Sequence, residues 1–160
     1  MRNSTLVYRQ KLLGNIAESR KHLMRLESAL LLIQNRFGFP LGKESFVKLI
    51  ENVEYLAYSD QVIYRFSKLQ DCMGAKLFKS LLMYEGENTD KPFLDILNRL
   101  EAMNIVCVDK WFELRDIRNE IAHDYDDGDG VAINILNAIF DQISELKNIL
   151  LSIESITFAR

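Results

Sequence analysis

Apolar residues recur at three-, four- and seven-residue spacing along nearly the whole chain, a period that belongs to helix. In the first stretch Leu6, Leu13, Ile16, Leu23, Leu26, Leu30 and Ile33 follow it, with Arg, Lys and Glu between them. The spacing predicts one long amphipathic helix from about Ser4 to Arg36, with Ser4 or Thr5 as its N-cap. Gly14 sits inside that helix at a cost of roughly 1 kcal/mol against Ala. Gly38-Phe39-Pro40 ends it.

A second run holds Phe46, Leu49, Ile50, Val53 and Leu56 and passes, through a bend expected at Ser59-Asp60, into Val62, Ile63, Phe66, Leu69, Met73, Leu77 and Leu81. Gly86 and the polar residues Glu87 to Lys91 form the clearest loop. Asp90 reads as the next N-cap, with Pro92 in the first turn, where its missing N–H costs nothing. Phe93, Ile96, Leu97, Leu100 and Met103 mark a short helix. Asp109 would cap another, carrying Trp111, Leu114, Ile117 and Ile121, and Asp124 to Gly130 breaks it. The last helix shows Val131, Ile135, Ile139, Ile143, Leu146, Leu150 and Ile153. The expectation is a single all-α domain over residues 1–160, an antiparallel bundle with a four-helix core plus a short helix.

Composition narrows the function. With 160 residues, 48% hydrophobic and 27% charged, the chain has the balance of one globular domain with its own core. The longest unbroken apolar run is Ala29 to Ile33, too short to cross a membrane. No charged stretch followed by an apolar run opens the sequence, so a cytoplasmic location is expected rather than secretion. Cys72 and Cys107 are too few for a disulfide framework and too far apart for a zinc knuckle; both read as reduced and largely buried. A net charge of −3 argues against broad affinity for nucleic acid but leaves room for a local basic site.

One stretch does not read as ordinary bundle surface: Arg115-Asp116-Ile117-Arg118-Asn119-Glu120-Ile121-Ala122-His123-Asp124-Tyr125. Arginine is a permanent cation that grips phosphate with a planar fork. Histidine titrates near neutrality and can give or take a proton. Together they can cleave RNA without a metal or cofactor. His123 would move the proton of the 2′-hydroxyl or of the leaving group, and Arg118 would stabilise the charged phosphorane.

The segment resembles the HEPN family (higher-eukaryote and prokaryote nucleotide-binding domains), all-α proteins with an Arg-x(4–6)-His motif. It is most similar to the HepT-like branch, whose pattern is Arg-x4-His-x-Tyr with Asn usually following the Arg. Here those positions are Arg118, Asn119, His123 and Tyr125. Ala57-Tyr58-Ser59-Asp60 and Arg65-Phe66-Ser67-Lys68-Leu69-Gln70-Asp71 also look like HepT-like chains. The loose Arg–His motif is uninformative, whereas the longer pattern is expected by chance about 3 times in 10,000. The resemblance implies a ribonuclease toxin acting on tRNA or mRNA, encoded beside a minimal nucleotidyltransferase antitoxin in a type II-like toxin–antitoxin pair. It implies Arg118 and His123 as catalytic residues, Asn119 in support, and Tyr125 as the residue to which the antitoxin transfers AMP. Some relatives are instead non-catalytic subunits that bind substrate or partner for the nucleotidyltransferase, which is the alternative function.

At about 100° per residue, Tyr125 falls about 20° from Arg118 around an ideal helix and His123 about 140° away. Either the helix unwinds near Ala122 or the site combines two chains across a two-fold axis. HEPN proteins pair their motifs in dimers, so the resemblance implies a homodimer. An anionic, bulky AMP on Tyr125 would then block RNA by sterics and charge.

Plainer readings compete. A lone Arg and His near a helix end commonly cap carbonyls or pair with a nearby acid such as Asp116 or Glu120. Arg65 and Lys68 are three apart and would add cationic lining for RNA, or else form an ordinary polar stripe. Tyr58 and Tyr64 could stack on a base, with core packing the default. His22 reads as surface or interface. Asp124, Asp126, Asp127 and Asp129 fail the spacing of a calcium loop, because position five is Gly128 and position twelve Ile135, and read as a solvated turn.

Overall fold

The structure is a computed structural model that describes residues 2–124 and 129–159, with residues 2, 123, 124 and 129 placed by backbone alone. Every regular element among the described residues is helical: α1 (Arg2–Phe37), α2 (Lys43–Glu51), α3 (Val53–Cys72), α4 (Phe78–Tyr84), α5 (Phe93–Ala102), α6 (Val108–Asp124) and α7 (Asp129–Phe158). A single π-helical turn, Met73–Leu77, joins α3 to α4, so residues 53–84 run as one rod.

Side-chain pairs fix the direction of packing. Against α1, Tyr55 meets Phe37, Arg65 meets His22 and Lys76 meets Glu18, so the α3–α4 rod runs antiparallel to α1. Lys147 pairs with Glu27 and Glu154 with Arg20, which makes α7 antiparallel to α1 as well. Gly74 lies against Trp111 and Asp71 against Arg118, so α6 is antiparallel to α3. These four rods enclose one core in which Leu23, Leu26, Ile33, Phe66, Leu69, Leu77, Leu114, Ile135, Leu136 and Leu150 are inaccessible to solvent. None of the described helices is long and apolar enough to cross a membrane.

The expected long first helix is present, and it begins at Arg2, placing Ser4 and Thr5 inside it rather than at its cap. Its buried stripe is Leu12, Ile16, Ser19, Leu23, Leu26, Leu30 and Ile33, while Leu6 is exposed. The second run breaks at Asn52, not at Ser59-Asp60. The Asn52 carboxamide accepts the amides of Glu54 and Tyr55 and so starts α3 afresh, whereas Ser59 is buried inside a continuous helix. α4 ends at Gly86, whose φ of 83° lets the Glu87 amide reach back to the Leu82 carbonyl. Pro92, not Asp90, occupies the N-cap of α5, because the Pro92 carbonyl accepts the first helical bonds from Asp95 and Ile96. Asp109 lies within the first turn of α6 rather than capping it; the Glu101 carboxylate accepts the Val108 amide at 2.8 Å. The connection before α2 is held by Asn137 of α7, which accepts from the Leu41 N–H at 2.7 Å and donates to the Leu41 carbonyl at 3.0 Å.

Candidate functional site

Helical geometry sets one stripe of α6 against one stripe of α3. Trp111, Arg115, Arg118, Asn119 and Ala122 fall three, four and seven residues apart on α6 and share a face. Opposite them Gln70, Asp71, Gly74 and Ala75 share a face of α3 and the π turn. Two surface grooves open along this seam. One, about 530 Å³, is lined by both stripes together with Phe93 at the start of α5. The other, about 570 Å³, is lined by Asp60, Ile63, Tyr64, Ser67, Lys68, Asp71, Arg118 and Ile121.

Arg118 and Asp71 line both grooves and form the ridge between them. The guanidinium donates through Nε to Asp71 Oδ1 at 3.3 Å and through Nη2 to Oδ2 at 3.2 Å, a side-on fork. The two side chains are 31% and 53% exposed, so the pair orients Arg118 without removing it from solvent, and its net contribution to stability is no more than about 1 kcal/mol. The partner is an acid on α3, not Asp116 or Glu120 on the same helix.

Asn119 lines the first groove beside Arg115, and Lys68 lines the second beside Tyr64. Tyr64 is 50% exposed and lies under two cations, with Arg65 Cζ at 5.2 Å and Lys68 Nζ at 5.6 Å from its ring centroid. It is therefore not a core residue. Tyr58 donates from its hydroxyl to Glu54 at 2.6 Å. Arg65 turns toward α1, where its Nη1 lies 2.9 Å from His22 Nδ1. His22, read from the sequence as surface or interface, is only 6% exposed and lies buried against α3 of the same chain. Burial, with Arg65 and Lys21 beside it, holds the His22 imidazole below its ordinary pKa, and Glu18 only partly offsets them.

The backbone of α6 stays helical through Asp124, so no unwinding occurs near Ala122. Position 123 therefore stands about 140° around the helix from Arg118. Tyr125, Asp126, Asp127 and the side chains of His123, Asp124 and Asp129 lie outside the described residues.

Sequence reasoning did not single out the site's aromatic and small-residue lining. Gly74 stands at a close approach: a Cβ there would lie 3.1 Å from Trp111 Cζ2, so the indole would have to shift by a few tenths of an ångström to admit one. Trp111 is 2% exposed and packs edge-on against Phe78. Gln70 is 4% exposed, and its Oε1 has no hydrogen-bond partner among the described residues. An unpaired buried amide oxygen costs about 1–3 kcal/mol, which makes Gln70 expensive as packing alone. Cys72 is no competing nucleophile, because burial pushes its thiol pKa up and Ser19 holds its sulfur at 3.3 Å. Comparison with protein-family models, curated proteins and solved structures finds no match.

Proposed function

We propose that the chain is a metal-independent endoribonuclease toxin of the HEPN type, acting as a two-fold dimer and paired with a minimal nucleotidyltransferase antitoxin. The observation that carries this reading is the position of Arg118. It stands on a ridge between two open grooves, held by Asp71, with Lys68 in one groove and Arg115 in the other. That sets three cations, with Asp60 and Asp71 among them, across two adjoining grooves on a chain whose net charge is −3.

In the proposed reaction the 2′-oxygen attacks the adjacent phosphorus and loses its proton to a neutral imidazole. The P–O5′ bond breaks, the departing 5′-oxygen receives a proton, and the products are a 2′,3′-cyclic phosphate and a 5′-hydroxyl. His123 is the proton carrier, Arg118 stabilises the negative charge that builds on the phosphorane, and Asn119 supports the strand. Because positions 118 and 123 lie about 140° apart around one regular helix, the reading takes Arg118 from one protomer and His123 from the other. Tyr125, two residues beyond His123, is where the antitoxin would attach AMP and close the site by bulk and charge.

Growth inhibition and cleavage of total RNA test the proposal in Arg118→Ala and His123→Ala. Each variant is expected to lose 10²-fold or more in cleavage while circular dichroism and Tm stay near wild type, since Arg118 is an exposed ion-pair partner. Toxicity retained in both variants sinks the reading. Wild-type protein that cleaves no RNA yet forms a stable complex with the nucleotidyltransferase favours the non-catalytic subunit instead.

A further inference from the structure

The groove between the π turn and α6 is built differently from its neighbour. Trp111 and Phe93 line it, and the α3 side is stripped of bulk at Gly74 and Ala75. Gln70 lines it with a buried amide oxygen that no described residue satisfies. Arg115 and Arg118 stand on the rim three residues apart, on the same side of α6. A groove lined by two aromatic rings, with one unsatisfied amide oxygen buried in its lining and two guanidinium groups beside it, matches a nucleotide, base inward and phosphate outward. A π turn beside such a groove also fits, because π turns occur frequently at functional sites.

We propose that this groove is a base-recognition pocket, and that Gln70 selects adenine in the nucleotide next to the phosphate held at Arg118. The inference rests on the ribonuclease reading for the identity of the strand. A side-chain amide presents an acceptor beside a donor, and the N6–H and N7 edge of adenine presents the complement. The terminal amide of Gln turns easily about its last torsion, so Oε1 can rotate toward a donor entering from the groove. Phe93 offers its ring to the base, while Arg115 and Arg118 hold the phosphates on either side. Gln70 thereby sets specificity and takes no part in the proton transfers.

The chain has a single tryptophan, Trp111, and it lines this groove, so its fluorescence reports from there. Full-length protein is titrated with three 2′-fluoro RNA pentamers that cannot be cleaved: all-adenine, all-cytosine and all-uracil. Wild type is expected to bind the adenine strand at least tenfold more tightly than the other two, with a change in Trp111 emission. Gln70→Met keeps the shape and removes the unpaired oxygen. It is expected to keep or raise Tm while the three affinities converge to within about twofold. Arg115→Ala is expected to weaken all three strands alike. Equal affinities in the wild type, or binding to none of the strands, overturn the pocket, and so does a base preference that survives in Gln70→Met. Cleavage of ordinary RNA is measured in parallel to separate the two readings. Cleavage without base preference removes only the pocket. Base preference without cleavage keeps the pocket and removes the ribonuclease reading.

Discussion

His22 shows how a single side chain can be misjudged from its neighbours in sequence. Lys21 and Arg25 suggest a solvated face, but a helix turns by about 100° per residue, and His22 falls on the side that meets α3. There it is 6% exposed, with Nδ1 facing Arg65 Nη1 at 2.9 Å and Nε2 facing Glu18 at 3.8 Å. Its ionisation is opposed first by burial and then by Arg65 and Lys21, so the folded pKa lies below the ordinary 6.5. The unfolded chain therefore binds a proton at His22 that the folded chain resists. Stability is fully present above pH 6.5 and falls as pH drops from there toward the depressed folded value, by at most about 1.4 kcal/mol per pH unit for one proton. Tm measured from pH 8 to pH 5 is expected to be level above neutrality and to decline below pH 6.5. In His22→Asn that decline is expected to flatten, while the carboxylate-driven loss at lower pH remains. An equal decline in both proteins would mean that some other group carries it.

At the level of elements, the periodic apolar stripes were legible because each buried helix face repeats its signal over several turns. The helix starts were not, because a start depends on one or two hydrogen bonds. Asn52 and Ser59-Asp60 are both plausible interruptions in sequence, and only the fold reveals that Ser59 is buried against its neighbours while Asn52 has two free amides within reach. Asp109 lost its cap role to Glu101, seven residues before Val108, by a loop geometry that no local rule anticipates. The same reasoning explains the candidate site. Arg118 and Asn119 could be picked out along one segment, but Asp71, Gln70 and Gly74 reach it only through the antiparallel packing of α3 on α6. Asn52 gives the element-scale prediction. Asn52→Ala removes the acceptor for the Glu54 and Tyr55 amides and is expected to cost about 1 kcal/mol, or roughly 3 °C in Tm, with an unchanged denaturant slope. The seam between α3 and α6 is distant in sequence from this cap, so Trp111 fluorescence of the folded variant should match wild type. A variant as stable as wild type would show that water caps α3 equally well.

For the whole molecule, the decisive constraint is the regularity of α6 through Asp124. If residues 118 and 123 must act on one phosphate while standing about 140° apart on the same helix, a single chain is half of two sites rather than the whole of one. On the proposed reading a two-fold axis would solve this geometry, because an isologous interface would set position 118 of each protomer against position 123 of the other. The grooves beside Arg118 are open, so such an interface can cover one without closing the other. The arrangement makes an unusual demand on variants. Arg118→Ala and His123→Ala, each inactive alone, are expected to restore activity when co-expressed. The mixed dimer has one site with both native residues and one with neither. Random pairing makes half of the dimers mixed, so about a quarter of wild-type cleavage should return. Co-purification through two different tags, followed by the same RNA cleavage assay, isolates the mixed dimer and should raise that fraction to about one half. A mixed dimer that forms but stays inactive would place Arg118 and His123 in the same chain's site. It would then require a change in α6 when RNA binds, and the two-chain arrangement would have to be abandoned.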